Sequence, residues 1–167
     1  MIFVLAFVLV TVLTLVSCVQ LLYLESLRLR TREFDSLTFF KETLQDRLGY
    51  ETEQGALVFS LIKHTLLVFS GAVFVAAAAA QNAGWQGLVE GFLIGWCVMM
   101  AASYVVPQAL YRRSGGQWML PLTPFLRFLA ILFKPLTLLM GFLQSLFELS
   151  APDTGEEKQD PSEEIEA

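Results

Sequence analysis

The chain has 167 residues, 55% of them hydrophobic and 16% charged, with a mean hydropathy of +0.59. A soluble domain carries roughly 25% charged residues. Here the apolar residues fall in long blocks separated by short charged stretches, which excludes a water-soluble globule in favour of an all-α integral membrane protein. The formal charge of −5 is set by residues 151–167, which hold seven acids and one lysine and leave the rest of the chain at +1. No concentration of basic residues suits a nucleic acid.

The first block, residues 1–24, carries no charge and is long enough to cross a bilayer, which takes about 20 apolar residues. Inside it "LVSC" (15–18) also fits a lipoprotein cleavage site, after which Cys18 would be lipidated. The positive charge expected ahead of a signal peptide's apolar region is missing, and "VQLLYLESL" continues the helix after Cys18. A segment with Arg28, Arg30, Arg32, Lys41 and Arg47 follows. In it Leu37, Phe40, Leu44 and Leu48 recur at helical spacing, which predicts an amphipathic helix over 36–48 ended by Gly49. Such a helix lies on the inner membrane surface or packs under the spans.

The second block, 56–80, is interrupted only by Lys63 and His64 near its start. The link "QNAGW" joins it to the third block, 85–110, which contains one acid, Glu90. Gly87, Gly91 and Gly95 recur every four residues and line one helix face with glycine. That predicts close packing of spans two and three, or a dimer through one of them. Glu90 lies near the outer end of its span and reads as an interfacial carboxylate. His64 reads as a hydrogen-bonded packing residue. The third block ends in "SYVVPQALYRR" (103–113), where tyrosines suit interfacial depth, the arginines fix an inner end, and Pro107 predicts a kink in the last turn.

Residues 120–149 contain Pro121, Pro124, Lys134 and Pro135, which divide the stretch into short helices along the inner interface. A kinked fourth span is the alternative. Residues 151–167, acidic and without aromatics, read as a disordered, solvated tail. The domain plan is thus a membrane domain over 1–150 followed by that tail. Basic residues flank spans one and three on the same side and are absent from the link. The protein is therefore expected to be multi-pass in the plasma (inner) membrane, with its N-terminus outside and the tail cytoplasmic. Cys18 and Cys97 both fall inside spans and suggest neither a disulfide framework nor a metal cluster. No nucleophile–base pair, metal triad or phosphate loop points to an enzyme.

In order and in local motif the chain resembles the membrane domain of the CorC/cyclin-M (CNNM) family of magnesium and cobalt efflux proteins. "SCVQLLYLESLRLRTREF" (17–34) is similar to that family's first-span ending, SxxE followed by alternating arginine and leucine. "HTLLVFSGAVFVAAAAA" (64–80) follows the second-span pattern L-G-N-x-x-x-N, and "SYVVPQALYRR" the third-span ending G-E-x-x-P-K. "PLTPFLRFLAILFKPLTLLM" (121–140) resembles the proline-punctuated segment that comes next. The resemblance spans about Val8 to Leu149. It implies an ion site at Ser17, Gln20, Ser70, Ser103, Tyr104 and Pro107, magnesium as the ion, and a dimer with itself or with a full-length relative.

The departures fall on that site. Gln20 stands where the family has glutamate, Ser70 and Phe74 replace its two asparagines, and Ser103–Tyr104 replace glycine–glutamate. Gln108 replaces the lysine, and only Ser17 and Pro107 are kept. Magnesium takes oxygen ligands that include carboxylates, and these positions supply none. The family's nucleotide-binding CBS pair has no counterpart. The resemblance therefore implies a non-transporting structural or regulatory subunit of a magnesium transport system. The alternative is a transporter of magnesium or a monovalent cation with a neutral hydroxyl and amide site, Glu90 contributing.

Overall fold

A backbone in an apolar surrounding must bond to itself, and a helix does this within one segment. The computed structural model describes residues 1–27, 35–81 and 84–150, and every regular element in them is helical. The Arg28–Arg30–Arg32 stretch, Asn82 and Ala83 of the link, and the tail expected to be disordered lie outside the described residues.

Among the described residues three helices are long and apolar enough to cross a membrane. These are α1 (Ile2–Ser26), α3 (Thr52–Ala80) and α4 (Trp85–Arg113). Within these helices the hydroxyls of Thr11, Thr14 and Thr65 donate to the carbonyls of Phe7, Val10 and Leu61, four residues back, at 2.8–2.9 Å. A polar side chain is thereby satisfied without leaving its own helix. The second span begins four residues before the expected Ala56, and the third runs three residues beyond Leu110. Pro107 does not end the third helix; a π-turn over Ala101–Val105 takes it up.

Helix α2 (35–48) is continuous through a π-turn at Phe40–Leu44 and stops at Gly49, whose φ of 75° is left-handed. Its four periodic residues, Leu37, Phe40, Leu44 and Leu48, are all buried. The helix therefore packs against the spans and does not offer its apolar face to a surface. Tyr23 of α1 stands at the junction. Its ring meets Phe40 edge-on at 4.7 Å and stacks on Phe59 of α3 at 5.6 Å, between centroids. Gly55 lets α3 approach this ring: a Cβ there would run into Tyr23. The Ser36 hydroxyl donates to the Tyr111 carbonyl at 2.8 Å and ties α2 to the end of α4.

The glycine face of α4 is used inside the chain. A Cβ at Gly91 would lie 2.6 Å from the Ala78 Cβ, and one at Gly95 2.9 Å from Phe74. Gly71 faces Met99 across the same contact at 3.8 Å. Close packing of α3 against α4, one of the two uses expected of this face, is present. Gly87 is half-buried on the same helix.

After α4 the chain turns at Gly116 into a 3₁₀ segment, Gln117–Leu122, and then α5 (Thr123–Leu132). Phe133 ends α5 and α6 (Lys134–Ser150) begins at once. Thus 120–149 forms separate short helices. The pair Gln117–Leu132 and Lys134–Leu143 meets the length and hydropathy of a span only if both helices are counted as one broken span. Two compact units divide the chain, Met1–Thr137 and a second from Leu138. In the second, the described residues continue α6 and expose Leu138, Leu139, Phe142, Leu143 and Leu146.

Candidate functional site

Ser17, Gln20 and Leu24 are spaced three and four residues apart, so they share one face of α1. That face forms one wall of a cavity of about 140 Å³, with Leu21 beside it. Ser103, Tyr104, Pro107 and Gln108 of α4 form the opposite wall, and Lys63 of α3 completes it.

The α4 wall owes its shape to Pro107. Proline has no N–H to give the carbonyl four residues back, and its ring crowds that carbonyl, which belongs to Ser103. The π-turn absorbs both effects. The Val106 N–H reaches five residues back to the Ala101 carbonyl, and the widened turn holds Ser103 and Tyr104 beside the cavity. Single π-turns of this kind concentrate at functional sites.

Lys63 is the group that sequence reasoning left unassigned. Only 8% of it is exposed, and its ammonium lies 4.4 Å from the centroid of the Tyr104 ring. Among the described residues no carboxylate pairs with it. The nearby acid of α1, Glu25, is buried but does not line the cavity. A cation–π contact stabilises by about 0.5–2 kcal/mol, whereas burying an ammonium costs several kcal/mol. Tyr104 alone does not offset that cost.

The serine hydroxyls add to the imbalance. Ser17 Oγ and Ser103 Oγ are buried without a hydrogen-bond partner among the described residues, unlike the threonines of the same spans. A buried hydroxyl left unpaired costs about 1–3 kcal/mol. The cavity wall thus holds an unneutralised charge and two unsatisfied hydroxyls.

Five of the six positions carried over from the resemblance, Ser17, Gln20, Ser103, Tyr104 and Pro107, meet at this cavity. Ser70 does not line it. Ser70 lies seven residues beyond Lys63 on the same helix face, ~10 Å along the axis, buried and also without a partner among the described residues. Glu90 is exposed and thirteen residues from Ser103, ~20 Å along α4, so it contributes nothing to this site. His64 is exposed, with Nδ1 2.7 Å from the Ser60 carbonyl. Cys18 is buried within the unbroken α1, while Cys97 is exposed on α4.

The donor set does not fit magnesium. The lining residues offer hydroxyls and amides without a carboxylate, and they add a positive charge. Among the described residues no group of three or more His, Cys, Asp or Glu could hold a metal ion. The chain matches no family model, no curated protein and no solved structure.

Proposed function

We propose that the chain is a multi-pass membrane protein of CorC/cyclin-M-like architecture that does not itself transport cations. It acts as a structural or regulatory subunit of a magnesium transport system, beside a second copy or a full-length relative. The three long apolar helices support membrane insertion. The basic residues flanking spans one and three support a cytoplasmic position for α2 and the C-terminal tail.

One observation carries the non-transporting reading: the Lys63 ammonium lines the cavity that the resemblance would give to the ion. Two unit charges 4 Å apart repel by about 4 kcal/mol at an effective dielectric of 20, and a divalent ion doubles that figure. Lys63 serves as a tethered cation where the family's positions would hold a free one.

Calorimetric titration of the purified, detergent-solubilised chain with magnesium, manganese and sodium tests this. No saturable binding is expected from any of the three. The rival reading, a transporter with a neutral site, draws on the unpartnered hydroxyls of Ser17 and Ser103. Saturable binding weakened by Ser17→Ala or Ser103→Ala would put it in place of ours.

A further inference from the structure

Lys63 lacks a counter-charge within the described chain, and its cavity is not sealed. Leu24, Tyr104 and Gln108 belong both to the lining and to the exposed outside of the helix bundle. We infer that the cavity seats the phosphate of an anionic phospholipid, with Lys63 as its counter-ion. The inference rests on the membrane reading given above.

Charge selects the class of ligand. Among the described residues the cavity is lined by one cation and no acid, which matches the single negative charge of a phosphodiester. The same absence of acid disfavours a zwitterionic headgroup, whose ammonium would find no partner there.

The neutral residues suit an oxyanion as well. Lys63 offers three N–H donors, the Gln20 and Gln108 amides two each, and the Tyr104 hydroxyl one more. Hydrogen bonds to an ionised oxygen are about twice as strong as neutral ones. A phosphate would therefore satisfy the site at both its charge and its donors. Leu21 and Leu24 form an apolar strip beside this polar set, as a lipid's glycerol and upper acyl chain require.

Depth agrees with this assignment. Gln108 lies five residues from the end of α4, ~8 Å along its axis, and Lys63 eleven from the start of α3, ~16 Å. The polar region of a bilayer leaflet is ~5–8 Å thick on each side of the hydrocarbon. Gln108 thus stands at the boundary between headgroups and hydrocarbon. Lys63 lies below it, its ammonium over the Tyr104 ring, and its flexible stem can carry the charge toward the interface.

Native mass spectrometry of the full chain in detergent, titrated with phosphatidylglycerol, phosphatidylcholine or inorganic phosphate, tests the inference. One phosphatidylglycerol per chain is expected, held at least tenfold more tightly than phosphatidylcholine, with inorganic phosphate neither binding nor displacing it. Lys63→Met is expected to reduce phosphatidylglycerol to the level of phosphatidylcholine, and Lys63→Arg to restore it. Gln108→Leu, at the exposed mouth, is expected to weaken binding several-fold and keeps the test available if Lys63→Met fails to fold. Equal retention of the two lipids, or full retention in a folded Lys63→Met or Gln108→Leu chain, would overturn the inference. Saturable binding of inorganic phosphate that displaces the lipid would overturn it too, by making the free ion the ligand. Magnesium titration of the same sample reads the proposed function separately.

Discussion

The Tyr104 ring covers Lys63, with the ammonium 4.4 Å from the ring centroid. The two residues come from different spans and are forty-one positions apart. Tyr104 lies in the π-turn over Ala101–Val105 that directly precedes Pro107 in α4. The contact fixes where the charge sits without neutralising it.

If the ring face is what Lys63 requires, its hydroxyl is dispensable for stability. Tyr104→Phe is expected to unfold within ~0.5 kcal/mol of the native chain, because the quadrupole is retained. Tyr104→Leu removes it and is expected to cost about 1–2 kcal/mol. Thermal or chemical unfolding in detergent, followed by far-ultraviolet circular dichroism, reads the difference. Equal effects of the two substitutions would show that packing, not charge, holds the pair together.

Gly55 and Tyr23 give a second test, at the junction of α1, α2 and α3. Tyr23 is fully buried between Phe40 and Phe59, and a Cβ at Gly55 has no room beside its ring. Gly55→Ala is expected to destabilise by about 1–3 kcal/mol through overpacking. In a Tyr23→Leu background the same change is expected to cost much less, since the smaller side chain frees the space. A double-mutant cycle on unfolding free energies measures that coupling; strict additivity would mean the ring is not the obstacle.

The glycines of α4 make a graded comparison with α6. Gly91→Val forces the Ala78 contact apart and is expected to cost about 1–3 kcal/mol. Among the described residues Gly141 meets nothing within 4 Å, so Gly141→Ala is expected to stabilise α6 by about 0.5–1 kcal/mol by lowering the entropy of the unfolded chain. Unfolding curves of the two variants should therefore move in opposite directions.

These contrasts separate what was legible in the sequence from what was not. Uncharged runs such as residues 2–24 declare their helices because a backbone among apolar side chains must satisfy its hydrogen bonds within its own segment. The spacing of Leu37, Phe40, Leu44 and Leu48 likewise revealed the buried face of α2. Pro107 was readable as a disturbance but not as a π-turn, since a proline specifies the lost hydrogen bond and not how the helix absorbs it. Lys63 was the larger omission. A lysine near the start of a span reads equally as an interfacial charge or an interior one, and the rotation of α3 decides between them. That rotation is set by α1 packing through Gly55 and Tyr23, which no pattern within α3 records. Ser70 shows the same limit from the other side. Its position was carried over with the others, yet two helical turns keep it from the cavity.

The last prediction concerns the two left-handed glycines, Gly49 and Gly116, whose φ angles of 75° and 78° are nearly equal. Most L-residues are strained there by about 1–2 kcal/mol, whereas asparagine visits this region readily. Their surroundings differ. Gly49 has nothing within 4 Å of an added Cβ, whereas at Gly116 that atom would lie 2.9 Å from Phe39 Cδ1 and 3.5 Å from the Ser36 carbonyl. Ser36 in turn donates to the Tyr111 carbonyl, so the Gly116 turn, α2 and the end of α4 form one tight contact. Gly49→Asn is expected to be nearly neutral and Gly49→Ala to cost about 1 kcal/mol. At Gly116 both substitutions meet Phe39, and each is expected to cost at least ~1 kcal/mol more than its counterpart at Gly49. Phe39→Ala should then relieve Gly116→Ala while leaving the cost of Gly49→Ala unchanged. Unfolding free energies of the four glycine variants, of Phe39→Ala and of its two combinations test the argument, and equal costs at the two glycines would mean that backbone strain alone governs both turns.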